Sequence, residues 1–172
     1  MTTAVARDTQ QSAVYNAEHL YAKLLDRGAG TSIELAGTTL TPPAEAKFGD
    51  IAAIQRYVDS ALARPSLIAR YGPMPPVTVR ARRGNRAAHY EPGANTIAVP
   101  IGRDSRALRR EAVVVHELAH HIDEHTAETQ LDAPAHGPQF AAIHVWVAED
   151  LMGPEAGFML RVLYSNSGVA IG

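Results

Sequence analysis

The stretch "HELAHHIDEH", residues 116–125, constrains the fold more than any other part of the chain. It holds two pairs of histidines, each four residues apart: HELAH read forward, and HIDEH as the inverse of the same pattern. Residues four apart lie on the same side and close together in an α-helix, so the sequence predicts a helix here, led by "AVVV". The two pairs leave different faces of that helix and therefore cannot bind one metal ion together.

The forward pair is the better candidate for a metal site. His116 and His120 border the apolar stripe of the predicted helix, and Glu117 lies about 100° further round it, beside the position that a metal would leave open. His121 and His125 point to the far side, among acidic residues near the helix end. A catalytic metal needs a fixed and dry set of ligands. The sequence therefore favours HELAH as the metal-binding half and predicts that His121, Glu124 and His125 are the polar end of the helix.

A catalytic zinc ion keeps three protein ligands and a water molecule, so one ligand has to come from elsewhere. The candidates are Asp123, His136, His144 and Glu149. Asp123 is short and begins about 4.5 Å further along the helix axis, which favours a role in orienting a ligand. His136 is the best candidate, because the break at "DAPA" lets the chain fold back and "HGPQF" sets this histidine just before a new helix at Pro138. His144 is expected at the surface or in support of a ligand, and Glu149 is the alternative ligand.

The order of these motifs resembles a known family. HExxH, a helix break and then His-Gly-Pro-x-Phe is similar to the SprT-like minimal zincins over about residues 94–145. The sequence also resembles a group of metallohydrolases from high-GC bacteria and their phages that is named only for this motif. The resemblance implies a zinc metallopeptidase in which His116, His120 and His136 bind Zn2+ and Glu117 is the general base. The chain departs from SprT proteins in lacking their C-terminal zinc ribbon, since it contains no cysteine.

On this hypothesis zinc activates a water molecule, Glu117 takes its proton, and the hydroxide attacks a carbonyl of a peptide or protein substrate. The candidates for the donor that stabilises the oxyanion are Tyr90, Tyr164, His144 and Arg109. The sequence does not select among them. Two alternatives stay open: a non-catalytic, zinc-stabilised binding protein with a fourth ligand such as Asp123, or a hydrolase of non-protein amides such as cell-wall peptides.

The hydrophobic pattern predicts an α+β fold, and the resemblance implies a single zincin-like domain over residues 1–172. Helical periodicity predicts N-terminal helices within about residues 12–64, and Asp50 is expected to cap the second of them. Short β-prone segments predict a small, mostly antiparallel sheet within about residues 76–100. The active-site helices are expected within about residues 105–164.

Two finer predictions concern the start of the active-site helix and the strand before it. Asp104 or Ser105 is expected to cap the helix. The strand "ANTIAVP" stops at Pro100 and is predicted to be a sheet edge, on which an extended peptide could add.

The composition narrows the partners. A net charge of -2 and a pI near 6.4 argue against a protein that grips nucleic acid through its overall charge. The local exception is the basic run Arg80, Arg82, Arg83 and Arg86, for which a solvated hairpin is favoured over a nucleic-acid contact, because no aromatic residues interleave. No apolar run approaches the ~18 residues of a membrane span, and the N-terminus lacks the order of a signal peptide. A cytoplasmic protein with no membrane partner is expected, and the oligomeric state stays open.

Overall fold

The computed structural model describes residues 7–28, 30–84, 86–126 and 133–172 of the chain. In chain order the elements are α1 (Gln11–Arg27), β1 (Ile33–Leu35), β2 (Thr38–Leu40), α2 (Ile51–Leu62), α3 (Pro65–Tyr71), β3 (Thr78–Arg82), β4 (His89–Glu91), β5 (Thr96–Pro100), a 3₁₀ helix (Arg103–Leu108), α4 (Glu111–Thr126), α5 (Pro138–Met152) and α6 (Pro154–Asn166). The fold class is α+β, as predicted.

The chain divides into two compact units. The terminal unit is formed by Met1–Ala44 with Ala127–Gly172, and the central unit by Glu45–Thr126. The prediction of one domain over residues 1–172 stays a prediction. His136 belongs to the terminal unit, and the HELAH motif belongs to the central unit.

Helices dominate the described part of the terminal unit. One side of α1 is apolar and buried, with its buried residues three or four positions apart: Val14, Ala17, Tyr21 and Leu25. α6 packs against both α1 and α5. Gly153 separates α5 from α6 with a φ of 107°, a conformation that favours glycine. α5 begins at Pro138, which confirms the predicted start, although the predicted break at "DAPA" lies partly outside the described residues.

The central unit is built on a three-stranded sheet in the order β3-β5-β4. β3 runs parallel to β5 and β4 runs antiparallel to it, so this sheet is mixed, whereas β1 and β2 form an antiparallel pair. α2 packs on β3 and α4 packs on β4. The Asp50 side chain accepts the N–H of Ala53 at 2.7 Å and caps α2, as the sequence predicts.

The strand "ANTIAVP" is not a sheet edge, so that prediction was wrong. β5 lies between β3 and β4, and all five of its residues are buried. Pro100 is the last residue of the strand, where a missing N–H removes little of the ladder. The proline therefore ends the strand without exposing it, and the edge beside α4 is β4 instead.

The predicted start of the active-site helix was also wrong. α4 begins at Glu111, and the expected caps Asp104 and Ser105 lie inside the preceding 3₁₀ helix. The carbonyl of Arg109 accepts the N–H of Phe48 at 2.8 Å, which takes the chain out of helical geometry between the two elements. This pairing joins segments far apart in sequence, so local periodicity could not reveal it.

Candidate metal centre

The HELAH histidines meet on α4 as their spacing predicts. The Nε2 atoms of His116 and His120 lie 3.1 Å apart, and their rings meet edge to face with centroids 4.8 Å apart. His116 is buried and His120 is half-buried. The neighbouring positions of the helix are apolar and buried, namely Val115, Leu118, Ala119 and Ile122. The pair is therefore fixed by a helix that is itself anchored in the core.

Glu117 is also buried, with 5% of its surface exposed. Its Oε2 atom accepts the backbone N–H of Tyr90 at 2.7 Å. Tyr90 stands on β4, which pairs with β5 on its other side. A charged carboxylate that accepts a buried N–H makes a strong and directional bond, so the orientation of Glu117 is set by the strand.

The prediction of a polar end for α4 was wrong for His121, whereas Glu124 and His125 are exposed. His121 is fully buried, with Nε2 3.0 Å from the carbonyl oxygen of Pro75 and Nδ1 3.0 Å from the hydroxyl of Tyr90. Burial is the main cause that lowers the pKa of His121, so the neutral ring is favoured. The helical wheel describes one helix only, and β4 covers the side that the wheel leaves open.

His136 lies in the turn before α5 and is 3% exposed. Its Nδ1 atom is 2.7 Å from Oδ2 of Asp8. The side chain of Gln10 donates to its carbonyl oxygen at 2.9 Å, and the rings of Tyr15 and Phe140 meet it edge-on. The terminal unit thus holds both the backbone and the ring of this histidine. The role of Asp8 was missed from the sequence, because no local pattern links residues 128 positions apart.

His144 is 1% exposed, which rules out the surface position that the sequence analysis considered. Its Nδ1 atom is 2.7 Å from the hydroxyl of Tyr164, and that hydroxyl donates to Glu18 at 3.0 Å. Tyr164 is fully buried, and burial, followed by the charge of Glu18, raises its pKa. This buried network joins α1, α5 and α6, so its first effect is to hold the three helices together.

The other candidates for the oxyanion donor are bound within the protein. The Tyr90 hydroxyl donates to Glu124, and burial and that carboxylate raise the pKa of Tyr90. An Nη atom of Arg109 donates to the carbonyl of Gly49 at 3.0 Å. These contacts favour structural roles for Tyr90 and Arg109.

The alternative ligands have different surroundings. Glu149 is exposed on α5, and its side chain lies against Gly157 of α6. It stands roughly 16 Å along the helix from Pro138, at the opposite end from His136. Asp123 is half-buried on α4.

Histidine and carboxylate side chains form groups that could hold a metal ion. Among the described residues there are two such groups of three, one of three histidines and one of two histidines and a glutamate. Several divalent metals accept imidazole and carboxylate ligands, so these side chains leave the identity of the metal open.

The basic run is partly neutralised by its own sheet. Arg80 forms an ion pair with Glu91 of β4. Arg82 donates to the carbonyl of Ala87 at 3.0 Å and lies 2.9 Å from Nδ1 of His89. Arg83 and Arg86 are exposed beyond β3. Arg80 and Arg82 thus contact residues of the same sheet, but β5 lies between β3 and β4, so the predicted hairpin was wrong.

Comparison with known proteins adds no relative. No protein-family model, no curated protein and no solved structure matches the chain. The function of the site therefore has to be argued from its own residues. In the described part of the chain, no helix is both long and apolar enough to cross a membrane.

Proposed function

We propose that the chain is a zinc-dependent metallopeptidase in which His116, His120 and His136 bind Zn2+ and Glu117 is the general base. The observation that carries the proposal is the pair of imidazoles on α4, whose Nε2 atoms lie 3.1 Å apart. Two nitrogens at the usual distance from a tetrahedral zinc ion lie about 3.3 Å from each other, so this pair fits one shared ion.

His136 suits the third ligand position. Asp8 binds its Nδ1 atom, which directs Nε2 to a metal, and a carboxylate on the far nitrogen is the usual partner of a zinc-bound histidine. The pairing of HExxH with His-Gly-Pro-x-Phe, as in the SprT-like minimal zincins, supports the same choice.

The chain's own residues suit hydrolysis. When bound, zinc would supply a Lewis acid that activates water and polarises a carbonyl. Glu117 would accept the proton of that water and would pass it to the leaving amine. Because one oxygen is already held by a buried N–H, the carboxylate needs little reorganisation during the reaction.

The proposed substrate is an amide bond of a peptide or protein. This choice is supported by the resemblance to minimal zincins. The strand "ANTIAVP" no longer supports it, because that strand is central in its sheet and offers no free edge.

The proposal is tested by measuring bound zinc and cleavage of a peptide library with the wild type and Glu117→Gln. We expect one zinc ion per chain in both proteins and cleavage in the wild type alone, since the substitution removes the base and no ligand. The exposed Glu155→Gln serves as the matched control and should keep both properties. Zinc in both proteins with cleavage in neither would favour a non-catalytic zinc protein.

The third ligand is tested separately. His136→Ala should lose most of the bound zinc, whereas His19→Ala, at an exposed position on α1, should keep it. Unchanged zinc in His136→Ala would overturn the role of His136 and return Glu149 to consideration.

A further inference from the structure

Three polar residues of α4 face a single residue of β4. Glu117, His121 and Glu124 are spaced four and then three apart, so they share one side of the helix. Glu117 accepts the backbone N–H of Tyr90 at 2.7 Å, while His121 and Glu124 both contact its hydroxyl. Tyr90 is therefore held at both ends by one helix.

Glu124 also holds the chain beyond Tyr90. Its second oxygen accepts the backbone N–H of Gly93 at 2.8 Å, in the turn that follows β4. One carboxylate thus binds the tip of the tyrosine side chain and the backbone three residues later. Together these two bonds fix how far β4 is shifted along α4 and how it is rotated about its own axis.

The direction of the Tyr90 N–H follows from the strand pairing. In an antiparallel pair, successive residues point their N–H groups alternately toward the partner strand and away from it. Tyr90 stands opposite Ile97 of β5, yet its N–H goes to Glu117, so it points away from β5. A small rotation of β4 would turn this N–H away from the carboxylate, because nothing in the sheet ladder holds it.

We propose that Glu124, with His121, is a positioning residue that acts through Tyr90 to hold Glu117 in its orientation. The role assigned to Glu117 rests on the proposed function, but the coupling itself does not. It assigns a task to the second half of "HELAHHIDEH": the first half carries the ligands and the base, and the second half holds the strand that orients the base.

The coupling is measured on the amide of residue 90 by NMR in the metal-free, full-length chain. Glu117→Gln should move this amide proton upfield and speed its hydrogen exchange, because the charged acceptor is lost. Tyr90→Phe and Glu124→Gln keep Glu117 and the amide, yet each should move the resonance in the same direction and speed exchange about tenfold.

Two controls separate positioning from general loosening. Glu91→Gln changes the same strand on its other side, where Glu91 binds Arg80, and should leave the amide of residue 90 unchanged. Val79 lies on β3 of the same sheet, and its amide donates to the side chain of Gln55 at 2.7 Å. The chemical shift and the exchange rate of this amide should stay constant in every variant that remains folded.

The proposal is overturned if Tyr90→Phe and Glu124→Gln leave the chemical shift and the exchange rate of the residue 90 amide as they are in the wild type. It is also overturned if Glu91→Gln changes them as much as those two variants do. In the zinc-loaded protein, Glu124→Gln should lower kcat with unchanged zinc content and KM. Absence of zinc or cleavage in the wild type would remove the proposed function but not the amide result. An unchanged amide with normal zinc and cleavage would remove the positioning role alone.

Discussion

Asp8 uses its two carboxylate oxygens for two different contacts. Oδ2 lies 2.7 Å from Nδ1 of His136, and Oδ1 accepts the N–H of Gln11 at 3.1 Å, at the start of α1. A carboxylate that binds the far nitrogen of a histidine fixes the ring orientation and makes the other nitrogen a better ligand. Asp8 therefore links the position of a proposed ligand to the first turn of α1.

Asp8→Asn should lower the affinity for zinc by roughly 10–100-fold, because the neutral amide cannot replace the negative charge that Asp8 places beside Nδ1 of His136. The affinity is measured by competition with a chromophoric chelator. Asp26→Asn, at the opposite end of α1, removes the same charge at an exposed position and should leave the affinity unchanged. Equal affinity in Asp8→Asn and the wild type would mean that Asp8 only caps α1.

The spacing of the histidines predicts which of them lie close together, but it does not predict which of them are buried. His116 and His120 follow from i, i+4 geometry on a helix, whose rule is local. His121 and His144 are buried by partners on other elements, Tyr90 and Tyr164 respectively. The pattern along a single helix contains no information about such partners, so the predicted setting was too polar for both.

At the scale of elements, the start of α4 depends on a buried ion pair. Both oxygens of Glu45 bind Arg110, whose Nε atom is 2.8 Å from Oε1. Oε1 also accepts the N–H of Ala112 at 2.9 Å, in the first turn of α4. The pair is almost fully covered, with 3% of the Glu45 side chain exposed. Glu45 therefore caps α4, in place of the predicted Asp104 or Ser105.

Glu45→Gln should lower the free energy of unfolding by about 3 kcal/mol at neutral pH, since it leaves a buried arginine without its counter-charge. Burial by itself raises the pKa of Glu45, but the hydrogen bonds from Arg110, Lys47 and Ala112 outweigh it, and the pKa lies below its ordinary value of 4.5. The contribution of the carboxylate is thus complete above pH 4.5 and is lost as the pH falls through the lowered pKa.

Denaturant unfolding across this pH range checks the prediction. The difference in free energy of unfolding between the wild type and Glu45→Gln should become smaller as the solution becomes more acidic. The exposed Glu34→Gln should have the same free energy of unfolding as the wild type throughout. A gap that does not change with pH would show that the carboxylate charge is not its source.

At the scale of the whole molecule, each unit has its own apolar interior. Buried residues of α1, α5 and α6 fill the terminal unit, and those of α2, β5 and α4 fill the central unit. A ligand that binds only the folded chain stabilises it by mass action.

Zinc should therefore raise the midpoint of thermal unfolding. At a free concentration of about one hundred times Kd the gain is about 2.7 kcal/mol, or roughly 5–10 °C for a chain of this size. The shift is measured by calorimetry with zinc and with a chelator. His120→Ala should abolish it and His19→Ala should preserve it. No shift in the wild type at saturating zinc would contradict the proposed site.

Features that depend only on neighbours along the chain could be predicted before the fold was known. The helical geometry of His116 and His120, the Asp50 cap and the start of α5 at Pro138 each depend on residues within about one turn. Four features were visible only in the folded chain: the central place of β5, the burial of His121, the start of α4 and the contact of Asp8 with His136. These features depend on which distant segments pack together. The periodicity of a segment does not reveal its packing partner, because the same pattern of apolar residues is compatible with different partners.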